Sequence, residues 1–206
     1  MRLSAVVPCF NEEAVIEQLW LRLSSACRAA VGNDFEVVLV NDGSTDRTRK
    51  MMADIAGRYQ NVVCVHLSRN HGHQLALTAG LAVARGERVF VLDADLQDPP
   101  ELLGAMMARM DDGYDVVYGQ RKSRKGESAF KTHSAHVFYR LLSKLTEVDI
   151  PVDTGDFRLM SRRVVTALNE MPERDRFVRG MISWVGFPQS PLEYEREERF
   201  AGETKY

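Results

Sequence analysis

Short runs of β-favouring apolar residues recur as far as Gly119, each ended by polar or turn-forming residues and each but the last followed by apolar residues at helical spacing. The runs are Leu3–Val7, Phe35–Val40, Val62–Leu67, Val89–Leu92 and Asp115–Gly119. Between them, Val15, Ile16, Leu19, Trp20 and Leu23 share one helical face, as do Met51, Met52, Ile55 and Tyr59. A small-residue helix is expected from about Gln74 to Ala84, closed by Gly86, and Leu102, Leu103, Met106 and Met110 mark a fourth. Strands that alternate with helices bury both faces of a mostly parallel sheet, so an α/β, Rossmann-like fold follows. The three cysteines, Cys9, Cys27 and Cys64, are odd in number and widely spaced, which fits packing residues in a reducing compartment.

Ligands of such sheets gather at the carboxyl ends of the strands. Pro8–Asn11, Asn41–Asp46, Ser68–His73 and Asp93–Gln97 all fall there. Asn11 is expected to cap the first helix, with Glu12 and Glu13 in its first turn. The fourth strand runs straight into acid, VFVLDADLQDPPEL. Continued as extended chain, it would aim Asp93, Asp95 and Gln97 to one side, three oxygen donors for a hard cation such as Mg²⁺ or Mn²⁺. A lone Asp-x-Asp more often caps the next helix; here four loops at the same edge favour a site. Gly72, between His71 and His73, would let backbone approach a ligand closely.

A net charge of −2, from 27 basic and 29 acidic residues, gives no general drive toward nucleic acid. Leu3–Val7 is too short for the core of a signal peptide, and no stretch is as long and apolar as a spanning helix requires, so the chain reads as soluble. At 206 residues, one domain is expected. Beyond Gly119 come a basic connection, a helix from about Ala129 to Leu145, an irregular stretch IPVDTGDFRLMS, a helix pair and a strand-like PLEYEREERF. His133 and His136 lack carboxylate partners nearby and read as structural or surface residues.

No GxGxxG follows the first strand, no GxxxxGK[ST] exists, and the Asp-rich loop fails as an EF-hand, since its glycine position holds Asp98 and its twelfth Gly104. The successive motifs VVPCFNEE (6–13), VNDGSTDRT (40–48), LDADLQDPPEL (92–102), TGDFRLMSR (154–162) and REERFAGETKY (196–206) instead resemble those of the inverting family-2 glycosyltransferases. More narrowly, the pattern is similar to the polyprenyl-phosphate branch, which includes undecaprenyl-phosphate glucosyltransferases and dolichol-phosphate mannose synthases.

The resemblance implies a GT-A fold, a nucleotide-sugar donor, a polyprenyl-phosphate acceptor and a divalent metal, Mg²⁺ or Mn²⁺. It places Pro8, Phe10, Glu12 and Asp42 around base and ribose, although Asp42 in Asn-Asp-Gly also suits an ordinary turn. Asp93 and Ala94 would lie near ribose and diphosphate, and Asp95 and Gln97, with Asp93 beside them, would hold the metal. Arg121, Arg199 and Lys205 would meet the diphosphate or the acceptor phosphate, and Arg158, beside the TGDF turn, would add a further cation to the binding site. Asp156 would face the reaction centre as a candidate base. A lipid monophosphate has a second pKa of about 6 and is largely ionised at neutral pH, so Asp156 can instead orient hydroxyls.

UDP-glucose and undecaprenyl phosphate are the expected substrates, with GDP-mannose the alternative. The basic run Arg121, Lys122, Arg124, Lys125 and Lys131 would ordinarily be a solvated loop; the resemblance favours an anionic membrane surface, at the cytoplasmic face of a bacterial inner membrane. Members of this branch usually continue into membrane helices past the GETKY motif, whereas this chain stops at Tyr206. Oligomeric state stays open. Two competing readings are a haloacid-dehalogenase-type phosphohydrolase, with Asp93 as nucleophile, and a non-catalytic nucleotide-sugar sensor.

Overall fold

The computed structural model describes residues 1–122, 154–197 and 200. Seven strands form one sheet in the order β3-β2-β1-β4-β6-β5-β7. They are β1 (Leu3–Cys9), β2 (Phe35–Asn41), β3 (Val62–His66), β4 (Arg88–Val91), β5 (Val116–Arg121), β6 (Thr154–Ser161) and β7 (Gln189–Tyr194). β1, β2, β3 and β4 pair in parallel, as do β5 and β7; β6 alone runs against both its neighbours, β4 and β5. The mostly parallel α/β expectation is met. Every residue of β1 and β2 is buried, as a strand covered on both faces requires.

One face is covered by α1 (Ile16–Val31), α2 (Thr48–Arg58) and α4 (Leu103–Asp111), whose Leu19, Ile55 and Met106 meet Val7, Val37 and Phe90 in one core. The other is covered by α3 (His73–Val83), α5 (Arg162–Glu170) and α6 (Val178–Trp184), with Leu77, Val165 and Ile182 against Val6, Val38 and Met160. α3 lies so close to the sheet that a Cβ on Gly80 would sit 2.4 Å from Val6 Cγ1 and 2.9 Å from Val40 Cγ2.

Three expectations are corrected. Asn11 does not cap α1, which begins at Ile16. It adopts a left-handed φ of 55°, and its Oδ1 accepts the Thr45 N–H at 2.8 Å. The Asn41–Asp46 loop thus buttresses the first loop, a role reinforced where the Glu12 N–H donates to Thr48 Oγ1 at 2.8 Å. Next, the extended chain stops at Val91, and a turn containing Leu96 at φ 58° replaces the alternation expected through Gln97. Finally, TGDFRLMS is an eight-residue strand in the middle of the sheet, buried up to Met160. Its polar Asp156 and Arg158 disguise a strand because they pair with each other beneath a cavity. The helix expected over residues 129–145, with His133 and His136, lies outside the described residues.

Candidate active site

The order of the sheet explains where the site forms. β1 has β2 on one side and β4 on the other, so the chain leaves these strands in opposite directions and a crevice opens at their carboxyl ends. Because β6 is antiparallel, its beginning, Thr154 to Asp156, lies at that same edge. A cavity of about 540 Å³ results, lined by Pro8 near the end of β1 and Glu12 after it, His73 and Gln74 from α3, and Asp93, Ala94, Asp95 and Gln97 after β4. Arg121 of β5, the start of β6, Arg179 of α6 and Arg196 close it.

Asp156 lies at its floor, 5% exposed, between cations and donors. Its Oδ2 lies 3.0 Å from His73 Nε2 and accepts a hydrogen bond from Gln74 Nε2 at 2.9 Å, while Arg158 and Arg179 each stand 3.7 Å from Oδ1. Oδ1 itself has no hydrogen-bond partner among the described residues. Burial works to raise the pKa of this carboxyl, but the His73 hydrogen bond and the Arg158 and Arg179 charges outweigh it and hold it well below the usual carboxylate range. Asp156 is thus a poor base and a firm acceptor. Burial opposes the His73 imidazolium, yet Asp156 and Asp93 raise its pKa. Arg158, buried under Asp156, is lowered to about 10 by burial and donates to the Gly155 carbonyl at 2.8 Å.

Opposite stands the acidic turn. The Leu96 side chain is anchored in the core at 1% exposure, which fixes the left-handed turn that brings Asp95 and Gln97 to the same cavity. Asp95 Oδ1 accepts the Gln97 N–H at 3.1 Å, and Oδ2 lies 3.8 Å from Arg196 Nη2. Asp93 is raised to about 6, first by burial and then by Asp98, Asp156 and Asp95, with His73 opposing. A concentration of negative charge of this kind suits a cation. Among the described residues no three of His, Cys, Asp and Glu converge as a closed metal site. Two carboxylates and an amide oxygen form an open set, which Mg²⁺ or Mn²⁺ characteristically completes with substrate phosphate and water.

Of the residues singled out from sequence, Pro8, Glu12, Asp93, Ala94, Asp95, Gln97, Arg121 and Asp156 line this cavity. Arg158 lies beneath it. Phe10 and Asp42 are outside the lining: Asp42 is fully buried, and its carboxylate accepts the N–H groups of His71 at 2.7 Å and Gly72 at 3.0 Å. Asp42 thus braces the loop before α3 from across the strand ends, while the local bond within 41–44 is made by Asn41, whose Oδ1 accepts the Ser44 N–H at 3.0 Å. Gly72 adopts φ 93°, a left-handed conformation that favours glycine, with open space where a Cβ would be. Arg199 and Lys205 lie outside the described residues.

Sequence reasoning missed His73, whose role it left open, and Gln74, Arg179 and Arg196 altogether. Gln74 joins two elements, donating to Asp156 while its Oε1 accepts the Val178 N–H at 2.9 Å. The segment after β7 is strapped to the acidic turn: the Glu197 N–H donates to the Gln97 carbonyl at 2.9 Å, and Gln97 Nε2 donates to the Glu197 carbonyl at 3.3 Å. No helix among the described residues is long and apolar enough to cross a membrane.

Comparison with known proteins gives a consistent answer. Residues 4–168 match the family model described as glycosyl transferase family 2. The chain is 49% identical over 203 residues to an uncharacterised glycosyltransferase, YkcC, of Bacillus subtilis, covering 98% of this chain and 62% of that protein. It is 38% identical over 206 residues to the bactoprenol glucosyl transferase of Shigella phage SfV, covering all of this chain and 67% of the relative. The chain thus spans about three-fifths of the first curated relatives it matches. Among solved structures, glucosyl-3-phosphoglycerate synthase from Mycobacterium tuberculosis, in complex with Mn²⁺, UDP and glucosyl-3-phosphoglycerate, superposes with a TM-score of 0.67 at 20% identity, over 98% of this chain and 73% of that one. Mannosyltransferase PcManGT from Pyrobaculum calidifontis, with GDP-Man and Mn²⁺, also gives 0.67, at 21% identity over 93% and 55%. These last two show the shared GT-A fold.

Proposed function

The chain belongs to glycosyl transferase family 2, and from that premise we propose that it transfers a hexose, with inversion, from a nucleotide sugar to a polyprenyl phosphate. The observation that carries the reading is one cavity, of about 540 Å³, holding an open set of oxygen donors at one side, a buried carboxylate at the floor and three arginines in its lining. That volume suits a nucleotide sugar. Relatives named bactoprenol glucosyl transferase, at 38% identity, support glucose as the sugar and a polyprenyl phosphate as acceptor. UDP-glucose is accordingly the first donor to test. The family assignment displaces the phosphohydrolase reading.

Asp95 and Gln97, with Asp93, would hold Mg²⁺ or Mn²⁺, which when bound neutralises charge on a departing diphosphate. Arg121 and Arg196 stand beside that set and stabilise the same charge by hydrogen bonding. An acceptor phosphate oxygen forms the new bond to the anomeric carbon as the bond to the diphosphate oxygen breaks, and the electron pair leaves with the nucleoside diphosphate. The acceptor oxygen is already anionic, so no strong base is needed. Asp156, ionised and fixed by His73 and Gln74, orients hydroxyls of sugar or acceptor, and Arg179 adds positive charge where the acceptor phosphate would approach. Catalysis is then chiefly positioning and electrostatics. A lipid acceptor would bring the protein to the cytoplasmic face of a bacterial membrane.

The experiment is calorimetric binding of UDP, GDP and their glucose and mannose derivatives, with Mn²⁺ and with EDTA, on the wild type and Asp95→Ala. Metal-dependent binding of one nucleotide, lost in the variant, is expected. Transfer of labelled glucose to undecaprenyl phosphate then separates an enzyme from a sensor, and absence of both binding and transfer would refute the reading.

A further inference from the structure

Asp98 follows the acidic turn and invites the reading of one more metal ligand, yet it is absent from the cavity lining and fully buried. What surrounds it is cationic. Arg121 Nη2 lies 3.6 Å from Oδ2 and Arg196 Nε 3.6 Å from Oδ1, and both arginines line the cavity. The Tyr194 hydroxyl donates to Oδ1 and in turn accepts from Arg121 Nε at 3.3 Å.

The backbone sets this up. Arg121 ends β5 and Tyr194 ends β7, and the two are register partners in a parallel pair, so their side chains leave the sheet side by side. The Tyr194 ring, 4% exposed, packs on Phe157 at 5.4 Å between centroids and crosses Gly119, where a Cβ would meet Tyr194 Cε1 at 2.8 Å. Gly155 clears the other side: a Cβ there would lie 2.7 Å from Arg121 Nη2 and 3.7 Å from Asp98 Oδ2. Two glycines thus leave room for one tyrosine and one guanidinium, and the buried carboxylate sits behind both.

We propose that Asp98 and Tyr194 are positioning residues that hold Arg121, and through Asp98 also Arg196, in place to receive the diphosphate of the donor. A free arginine side chain has much rotamer entropy to lose on binding an anion. Here a hydroxyl accepts from Arg121 Nε, and a buried carboxylate faces Nη2 of Arg121 and Nε of Arg196. Arg196 is shared between Asp98 and Asp95, with Nε 3.6 Å from Asp98 Oδ1 and Nη2 3.8 Å from Asp95 Oδ2. The inference rests on the nucleotide-sugar reading above and adds which residues tune its anion-binding edge.

Tyr194→Phe removes one oxygen from the framework and is the cleanest variant; Asp98→Asn and Gly155→Ala disturb it from other directions. Binding of UDP and GDP with Mn²⁺ is measured by calorimetry on each, with thermal melting to confirm folding, and Tyr194→Phe is repeated in an Arg121→Ala background. Losing a hydrogen bond to a charged group corresponds to a drop in affinity of about tenfold or more. We expect that drop in Tyr194→Phe and Asp98→Asn, and no further drop when Tyr194→Phe is added to Arg121→Ala. Equal losses from Tyr194→Phe with and without Arg121, or wild-type affinity in a folded Tyr194→Phe, would overturn the proposal while leaving the functional reading intact. Wild-type protein that binds neither nucleotide would overturn both.

Discussion

Asp156 shows how far a single residue can be read from sequence. Its motif marked it as a site residue, but only the packing of His73, Gln74, Arg158 and Arg179 around it decides its chemistry. A carboxyl held low by such partners stays ionised throughout the range in which enzymes are assayed. On the proposed mechanism the acid limb of the rate profile then belongs to other groups, an acceptor phosphate with its pKa of about 6 and Asp93, raised to about 6, among them. Asp156→Asn should lower kcat by about 100-fold or more, within the range for a positioned polar group, and keep the acid limb. Loss of that limb would make Asp156 the titrating base after all. Asp93, Asp95 and Gln97 were legible because they follow an unmistakable buried strand. Arg179 and Arg196 were not, because nothing local distinguishes a cavity arginine from the solvated ones beside it, such as Arg174.

The elements were legible where apolar pattern and burial agree, as in β1 and β2. β6 was missed because Asp156 and Arg158 interrupt its apolar residues, although Phe157 and Leu159 face one core and Met160 the other. The turn entering β4 depends on a polar clasp of the same hidden kind. Ser4 Oγ donates to Glu36 Oε1 at 2.7 Å and accepts from the Gly86 N–H at 2.6 Å, while Glu36 accepts from the Arg85 N–H and guanidinium. Burial alone would raise the Glu36 pKa; Ser4 and Arg85 outweigh it and lower it. A lowered carboxyl contributes stability above its unfolded pKa, about 4.3, and that contribution disappears as pH falls through the lower folded value. Glu36→Gln should therefore cost about 1–3 kcal/mol at pH 7, with the difference from wild type in urea unfolding shrinking toward pH 3. Gly80→Ala tests packing in the same way. Alanine would favour α3 by about 1 kcal/mol, but its methyl would meet Val6 and Val40, neither of which has space to yield. Overpacking of about 1–3 kcal/mol should prevail, giving a lower melting temperature.

At the scale of the molecule, the cavity joins parts of the chain that are far apart in sequence. Its walls come from the loops after β1 and β4, from the start of β6, and from α6 and the segment after β7. That distribution is why the fold could be read from alternating strands and helices while the complete site could not: the insertion of β6 between β4 and β5 is a choice among topologies that local pattern does not express. It also makes ligand binding a matter of global stability. A nucleotide that bridges the acidic turn and the arginines of β5 and the β7 segment contacts the native state alone, and at 100 times its dissociation constant adds about 2.7 kcal/mol. For a chain of this size, about 2–4 °C per kcal/mol is typical, so UDP with Mn²⁺ should raise the melting temperature by roughly 5–10 °C. EDTA should abolish most of the rise, as should Asp95→Ala. Asp156→Asn should retain most of it, because in the proposed arrangement Asp95, Gln97, Arg121 and Arg196 meet the metal and diphosphate, and Asp156 reaches the acidic turn through His73. A variant of Asp156 that lost the nucleotide shift while remaining folded would show that the two halves of the cavity do not act separately.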